Sequence, residues 1–107
     1  MTREIRNIYF SETETKKALI NFSSRNNKIF NIDNINEIKI NTKDPTSVEL
    51  LVFNVENGKV DTIKYVHAEI AAALMAFCMT LKVLLPREGK KSLHANENGF
   101  FLTIKVG

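Results

Sequence analysis

Four places in the 107-residue chain carry side chains able to do chemistry. The first is His67, two residues before Glu69. Imidazole titrates near neutral pH, so a His–carboxylate pair can move protons. The second is His94, between Leu93 and Ala95, and the third is the lone cysteine, Cys78. A thiolate beside a basic group is a nucleophile. The fourth is the segment Lys82-Val83-Leu84-Leu85-Pro86-Arg87-Glu88-Gly89-Lys90-Lys91. Its cations Lys82, Arg87, Lys90 and Lys91 are suited to phosphate.

Each place also has a plainer reading. His67 falls at the expected start of a helix, where positive charge is disfavoured, and Glu69 there reads as a capping residue. His94 alternates with inward-looking neighbours and should face water. Cys78 sits among apolar residues, where a buried thiol behaves as a small hydrophobe with a raised pKa. A single cysteine excludes an internal disulfide and a cysteine-based zinc cage, and neither histidine has further ligands at metal-binding spacing. Glu88 dilutes the basic segment, and no aromatic residue is interleaved with it for base stacking. No GxGxxG, Walker A, GxSxG, HExxH or EF-hand pattern occurs. The expectation is therefore no catalytic residue, no metal and no cofactor.

The elements that must position these residues come from an internal repeat. Shifting the chain by 55 residues sets Ile8 on Ile63, Phe10 on Tyr65, Glu14 on Glu69, Ala18 on Ala73, Leu19 on Leu74 and Phe22 on Phe77. Ile29 then meets Leu84, Phe30 meets Leu85, Ile38 meets Leu93 and Ile40 meets Ala95. After a gap of about three residues, Val48, Leu50 and Val52 match Phe100, Leu102 and Ile104. Each copy reads as strand, helix, strand, strand. The strands are expected over about 4–10, 36–41 and 47–55, then 60–66, 91–95 and 100–106, with helices over about 11–26 and 67–83.

Local signals support these bounds. Ser11 and Glu14 form an S-x-x-E capping box. Thr15, Ala18, Leu19 and Phe22 fall on one helical face. Asn57-Gly58 and Asn98-Gly99 read as type I′ hairpin turns, which need positive φ at both central positions. The expected fold is α+β: two tandem βαββ units, about 4–55 and 60–107, in one domain. They would form a pseudo-twofold antiparallel sheet of up to six strands, with both helices packed on one face. Strand order, and the choice between one sheet and two, are left open by the sequence.

Two stretches hold more apolar surface than this fold needs. In the second helix, Ile70, Leu74, Phe77 and Leu81 make a core stripe, yet Ala72, Met75 and Met79 make the rest apolar too. In the third strand, Leu51 and Phe53 project away from the inward set Val48, Leu50 and Val52, a position shared by Phe101 in the last strand. Internal wrapping, self-association and a cavity between the helices each account for such a surplus.

Hydrophobic residues make up 44% of the chain and charged residues 25%, as in ordinary globular proteins. The net charge is +3, with cations scattered among acids. The first residues are charged and the longest uncharged stretch, 70–81, is too short to cross a bilayer. A cytoplasmic protein without membrane attachment is expected. The leading functional expectation is a non-enzymatic protein–protein interaction domain, self-associating as a homodimer through Leu51, Phe53, Ala72, Met75, Met79 and Phe101. The alternative is a nucleic-acid-binding accessory protein using the basic segment. A third is a small enzyme or ligand binder with His67 in a pocket between the helices.

Overall fold

A computed structural model describes residues 4–43, 45–83, 85, 89–97 and 99–106. The chain runs β1 (Glu4–Ser11), α1 (Glu12–Arg25), a 3-10 turn (Ile32–Asn34), β2 (Ile35–Asn41), β3 (Ser47–Asn54), β4 (Lys59–Tyr65), α2 (His67–Thr80), β5 (Lys90–Asn96) and β6 (Gly99–Val106). All six expected strands and both helices are present, and the 3-10 turn is an addition. Of the residues named above, Leu84, Pro86, Arg87, Glu88 and Asn98 lie outside the described residues.

The helix ends follow from local chemistry. Ser11 Oγ accepts from the Glu14 N–H at 3.1 Å, and the Glu14 carboxylate accepts from the Ser11 N–H at 3.0 Å, closing the capping box. Glu69 repeats half of this device by accepting from the Val66 N–H at 3.0 Å. Both helices stop on a residue in the left-handed region, Asn27 at φ 65° and Lys82 at φ 58°. Beyond each, a backbone N–H reaches back to an orphan carbonyl: Lys28 to Ser23 at 2.9 Å and Val83 to Cys78 at 2.8 Å.

The strands form two three-stranded antiparallel sheets, ordered β1–β6–β5 and β2–β3–β4. The sequence left the choice between one sheet and two open, and the strands divide into two. The hairpin Val55–Gly58 lays β4 directly against β3, and short loops close at the least entropic cost. The β5–β6 hairpin then takes β1 on its other edge, Phe10 pairing with Phe100 and Ile8 with Leu102. In the other sheet Tyr65 pairs with Val48 and Ile63 with Leu50. Thus each βαββ stretch lends its first strand to the hairpin of the other.

The turns differ in detail from type I′. The first is a four-residue loop in which Gly58 alone has positive φ, at 69°, and its N–H donates to the Asn54 carbonyl at 2.9 Å. Asn54 and Asn57 side chains accept from the N–H groups of Glu56 and Lys59, both at 2.9 Å. Gly99 is not a turn centre but the first residue of β6, paired with Ser11 on one side and Asn96 on the other.

Helix α1 packs on β1 and β6, α2 packs on β3, and the helices pack on each other. Leu19, Leu50, Ile70, Leu74, Phe100 and Leu102 are among the core side chains. Ser23, rather than Phe22, is fully buried on α1, and its hydroxyl hydrogen-bonds the Tyr65 hydroxyl inside the core. At the positions 55 residues away stand Cys78 and Phe10, both buried and apolar. Ser23→Ala strands the Tyr65 hydroxyl and should cost about 1–3 kcal/mol. Ser23→Cys combined with Tyr65→Phe imports the other pair, and urea unfolding should show it costing less than the two single changes summed.

Burial pushes the Tyr65 phenol above its ordinary pKa, with the nearby Glu69 charge adding to it and the Ser23 hydrogen bond opposing. The folded state thus holds this proton more tightly than the unfolded chain does. The associated stability is complete below about pH 10, the ordinary tyrosine value, and is lost as pH climbs through the folded value. The melting temperature of Tyr65→Phe should fall less steeply than that of the parent above that pH. Among the described residues, no helix is long and apolar enough to cross a membrane.

Candidate functional site

The strand exchange decides which outward-facing side chains meet. On the face of the β1–β6–β5 sheet turned away from the core, pairing sets Tyr9 beside Phe101 and Phe101 beside His94. Their ring centroids are 5.2 and 5.1 Å apart, at interplanar angles of 30° and 27°. Tyr9 is 64% exposed and ends the row at the β1 edge. The next row is polar: Asn7, Thr103 and Ser92. Thr103 Oγ1 donates to Asn7 Oδ1 at 2.8 Å, and Ser92 Oγ lies 3.1 Å from His94 Nε2. The third row is Ile5, Lys105 and Lys90. Among the described residues of this face there is no carboxylate.

The same face of the β2–β3–β4 sheet is different. Lys39, Glu49 and Lys64 pair across it, followed by Glu37, Leu51 and Thr62. These positions correspond to His94, Phe101 and Tyr9 through the 55- and 52-residue offsets. An alternating charge row therefore stands where the other sheet has rings. A property found on one sheet and not the other is not required by their common three-stranded arrangement.

A second feature lies at the open end of the β2–β3–β4 sheet. A cleft of about 550 Å³ runs between the Lys28–Phe30 segment and the sheet, lined by Ile29, Phe30, Val52, Phe53, Val55 and Ile63. Ile29 is 84% exposed and Val55 74%. Lys28 stands on one side of the cleft, with Glu56 and Asp61 also bordering it, and Asn54 Nδ2 donates to Asp61 Oδ2 at 3.2 Å.

The sequence-derived candidates distribute as follows. His67 does not lie between the helices. Its Nδ1 is 3.0 Å from Thr46 Oγ1 in a hollow bordered by Pro45, Ser47, Lys64 and Val66, and Glu69 caps Val66 instead of pairing with it. Cys78 is buried, and that burial, with the charge of Glu14, pushes its thiol upward, away from nucleophilic character. Lys82 sits at the α2 terminus. Lys90 shares the aromatic face, whereas Lys91, opposite Ile104, belongs to the other side of the strand.

Leu51 and Phe53 are on one sheet and Phe101 on the other, because β3 and β6 belong to separate sheets; they do not make one patch. On α2, Met75 packs against the core, while Ala72 and Met79 are exposed, Met79 by 75%. Tyr9, Lys105, Ile29 and Val55 were not among the candidate site residues of the sequence. Tyr9 occupies an outward position of β1, but nothing local announces that its neighbour is Phe101. Among the described residues, no group of three His, Cys, Asp or Glu is placed to hold a metal ion.

No family model, curated protein or solved structure matches the chain.

Proposed function

We propose that this chain is a non-enzymatic interaction domain that pairs with a second copy of itself through the cleft at the end of the β2–β3–β4 sheet. The observation that carries this reading is the exposure of Ile29, Phe53 and Val55 in the cleft's lining, with Val60 exposed beside Phe53 on the neighbouring strand. Apolar side chains so placed favour association by about 25 cal/mol for each Å² they remove from water, before the cost of association. The partner is a second copy because the rim carries both signs. In a twofold interface every contact occurs twice, so Lys28 of each copy can face Glu56 of the other. The bare side chains of Ala72 and Met79 lie outside this contact.

The same reading holds the two βαββ stretches to be copies of one unit, related by a pseudo-twofold axis in a single domain. The repeated 55-residue offset between strand pairs, helix caps and core positions supports it. A cytoplasmic setting belongs to the reading too, since a buried free thiol suits a reducing compartment.

Size-exclusion chromatography with light scattering tests the pairing. At about 100 µM, a concentration suited to micromolar affinities, the mass should be twice the 12.2 kDa of the chain. Val55→Asp, in the exposed turn, should restore the single-chain mass without altering the circular dichroism spectrum. Lys28→Glu should weaken pairing, and adding Glu56→Lys should recover it. A single-chain mass for the parent throughout that range overturns the reading.

A further inference from the structure

We propose that the outward face of the β1–β6–β5 sheet binds single-stranded nucleic acid, with bases against the exposed rings of Tyr9 and His94, which flank Phe101, and phosphates at Lys90 and Lys105. This surface is separate from the cleft at the end of the other sheet, and the inference does not depend on self-association.

Three properties of the face converge on this ligand. The rings form a continuous row, and its end member, Tyr9, leaves most of its side chain in water. Aromatic faces stack on any base, so such a row recognises the class of ligand without demanding a sequence. The row is also stiff: each ring rises from a hydrogen-bonded strand, and Phe101 is held between its neighbours. Little conformational freedom is therefore left to lose on binding.

The charge is of the right sign and in the right place. Lys105 and Lys90 are direct cross-strand partners. They lie four residues along the strands from Phe101 and His94, about 13 Å at ~3.3 Å per residue. Two like charges side by side are unfavourable in a sheet unless something anionic joins them. No described residue of this face supplies that anion. Between rings and lysines lie Asn7, Thr103 and Ser92, whose donors and acceptors suit base edges and sugar hydroxyls.

The comparison sheet sharpens the point. Its Lys39–Glu49–Lys64 row sets an acid between two cations and offers no ring. Of the cations in the basic segment Lys90 shares this face, and the rings beside it come from β1, β5 and β6. A duplex is disfavoured as the ligand, since its bases are already stacked on each other and unavailable to the rings.

Fluorescence anisotropy of a labelled twelve-nucleotide oligo(U) or oligo(dT), titrated with the full chain at about 50 mM salt, provides the test. Saturable binding is expected, with a duplex of the same length bound more weakly. Tyr9→Ala should raise Kd by about 5- to 150-fold, the range for loss of one stacked base. Lys90→Glu with Lys105→Glu should weaken binding and make the slope of log K against log salt shallower by about 1.4, as for two lost phosphate contacts on a single strand. The control, Lys39→Glu with Lys64→Glu, should leave Kd within about twofold, as expected for residues on the other sheet. Circular dichroism of each variant separates loss of binding from loss of fold.

No binding by the folded parent overturns the proposal. So does binding that Tyr9→Ala and the Lys90/Lys105 reversal leave unchanged, or duplex bound as tightly as single strand. A shift in oligomeric mass with Tyr9→Ala, without oligonucleotide binding by the parent, would assign the face to a protein contact instead.

Discussion

Cutting the chain between Asn57 and Gly58 should leave neither piece folded as a monomer, while mixing the pieces should restore the native structure. The cut falls in an exposed hairpin loop, so the new ends stay in water. The piece ending at Asn57 keeps β1, α1, β2 and β3, but β1 loses β6 and β3 loses β4. The other piece suffers the mirror loss. Each retains one two-stranded hairpin, which is marginal in water, together with half of a shared core. Core residues from both pieces, Leu19 and Leu50 with Leu74 and Phe100, belong to one cluster. Circular dichroism and sizing of each piece, then of an equimolar mixture, would read the result. A monomeric piece with a cooperative unfolding transition would show that the exchanged strands are dispensable.

Gly99→Ala should be among the most damaging single changes in the chain. Gly99 has φ 152°, and a Cβ built there would run into the Phe10 carbonyl oxygen and lie 3.3 Å from the Ser11 carbonyl carbon. These are backbone atoms and cannot rotate aside. Strands β1 and β6 would have to separate at their Ser11–Gly99 end. That end adjoins the Phe10–Phe100 pair in the core and holds the Ser11 cap of α1. One methyl group thus strains a sheet, a core contact and a helix start together. The expected loss is about 3 kcal/mol, the upper part of the usual range. Gly58→Ala is the comparison: φ is 69° but nothing lies within 4 Å of the added carbon, so only the left-handed backbone cost of about 1 kcal/mol applies. Equal losses in urea unfolding would mean that the close approach of Gly99 to Phe10 is not a constraint.

What the sequence made legible is what short-range physics controls. The Ser11–Glu14 box, the helical spacing through Leu19 and the strand alternation through Ile104 each need only a few neighbours in the chain. All six strands and both helices were accessible on that basis. Pairing is a different problem. That Phe10 meets Phe100 depends on the edge left open by the β5–β6 hairpin, not on any residue near Phe10. The turn at Asn57-Gly58 was legible as a turn, but its geometry is set by a four-residue loop with Asn54 and Asn57 side chains bonding the backbone. For the aromatic row the limit was the same. Phe101 stood out as an outward-facing ring, whereas its union with Tyr9 and His94 is a product of strand order. Leu51 and Phe53 are parted from Phe101 for the same reason, since β3 and β6 belong to different sheets, whereas Lys90 and Lys91 part only because neighbours in a strand face opposite sides.

The pairing of β1 with β6 also bears on how the chain is made. Synthesis delivers β1 roughly 90 residues ahead of its partner, a delay of about 5–20 s at ~5–20 residues per second. Throughout that interval the nascent strand presents Ile8, Tyr9 and Phe10 beside an unclosed backbone edge. The ribosome, or whatever shelters the emerging polypeptide, must shield it until Phe100 and Leu102 arrive, and slower decoding of the second half would lengthen the exposure.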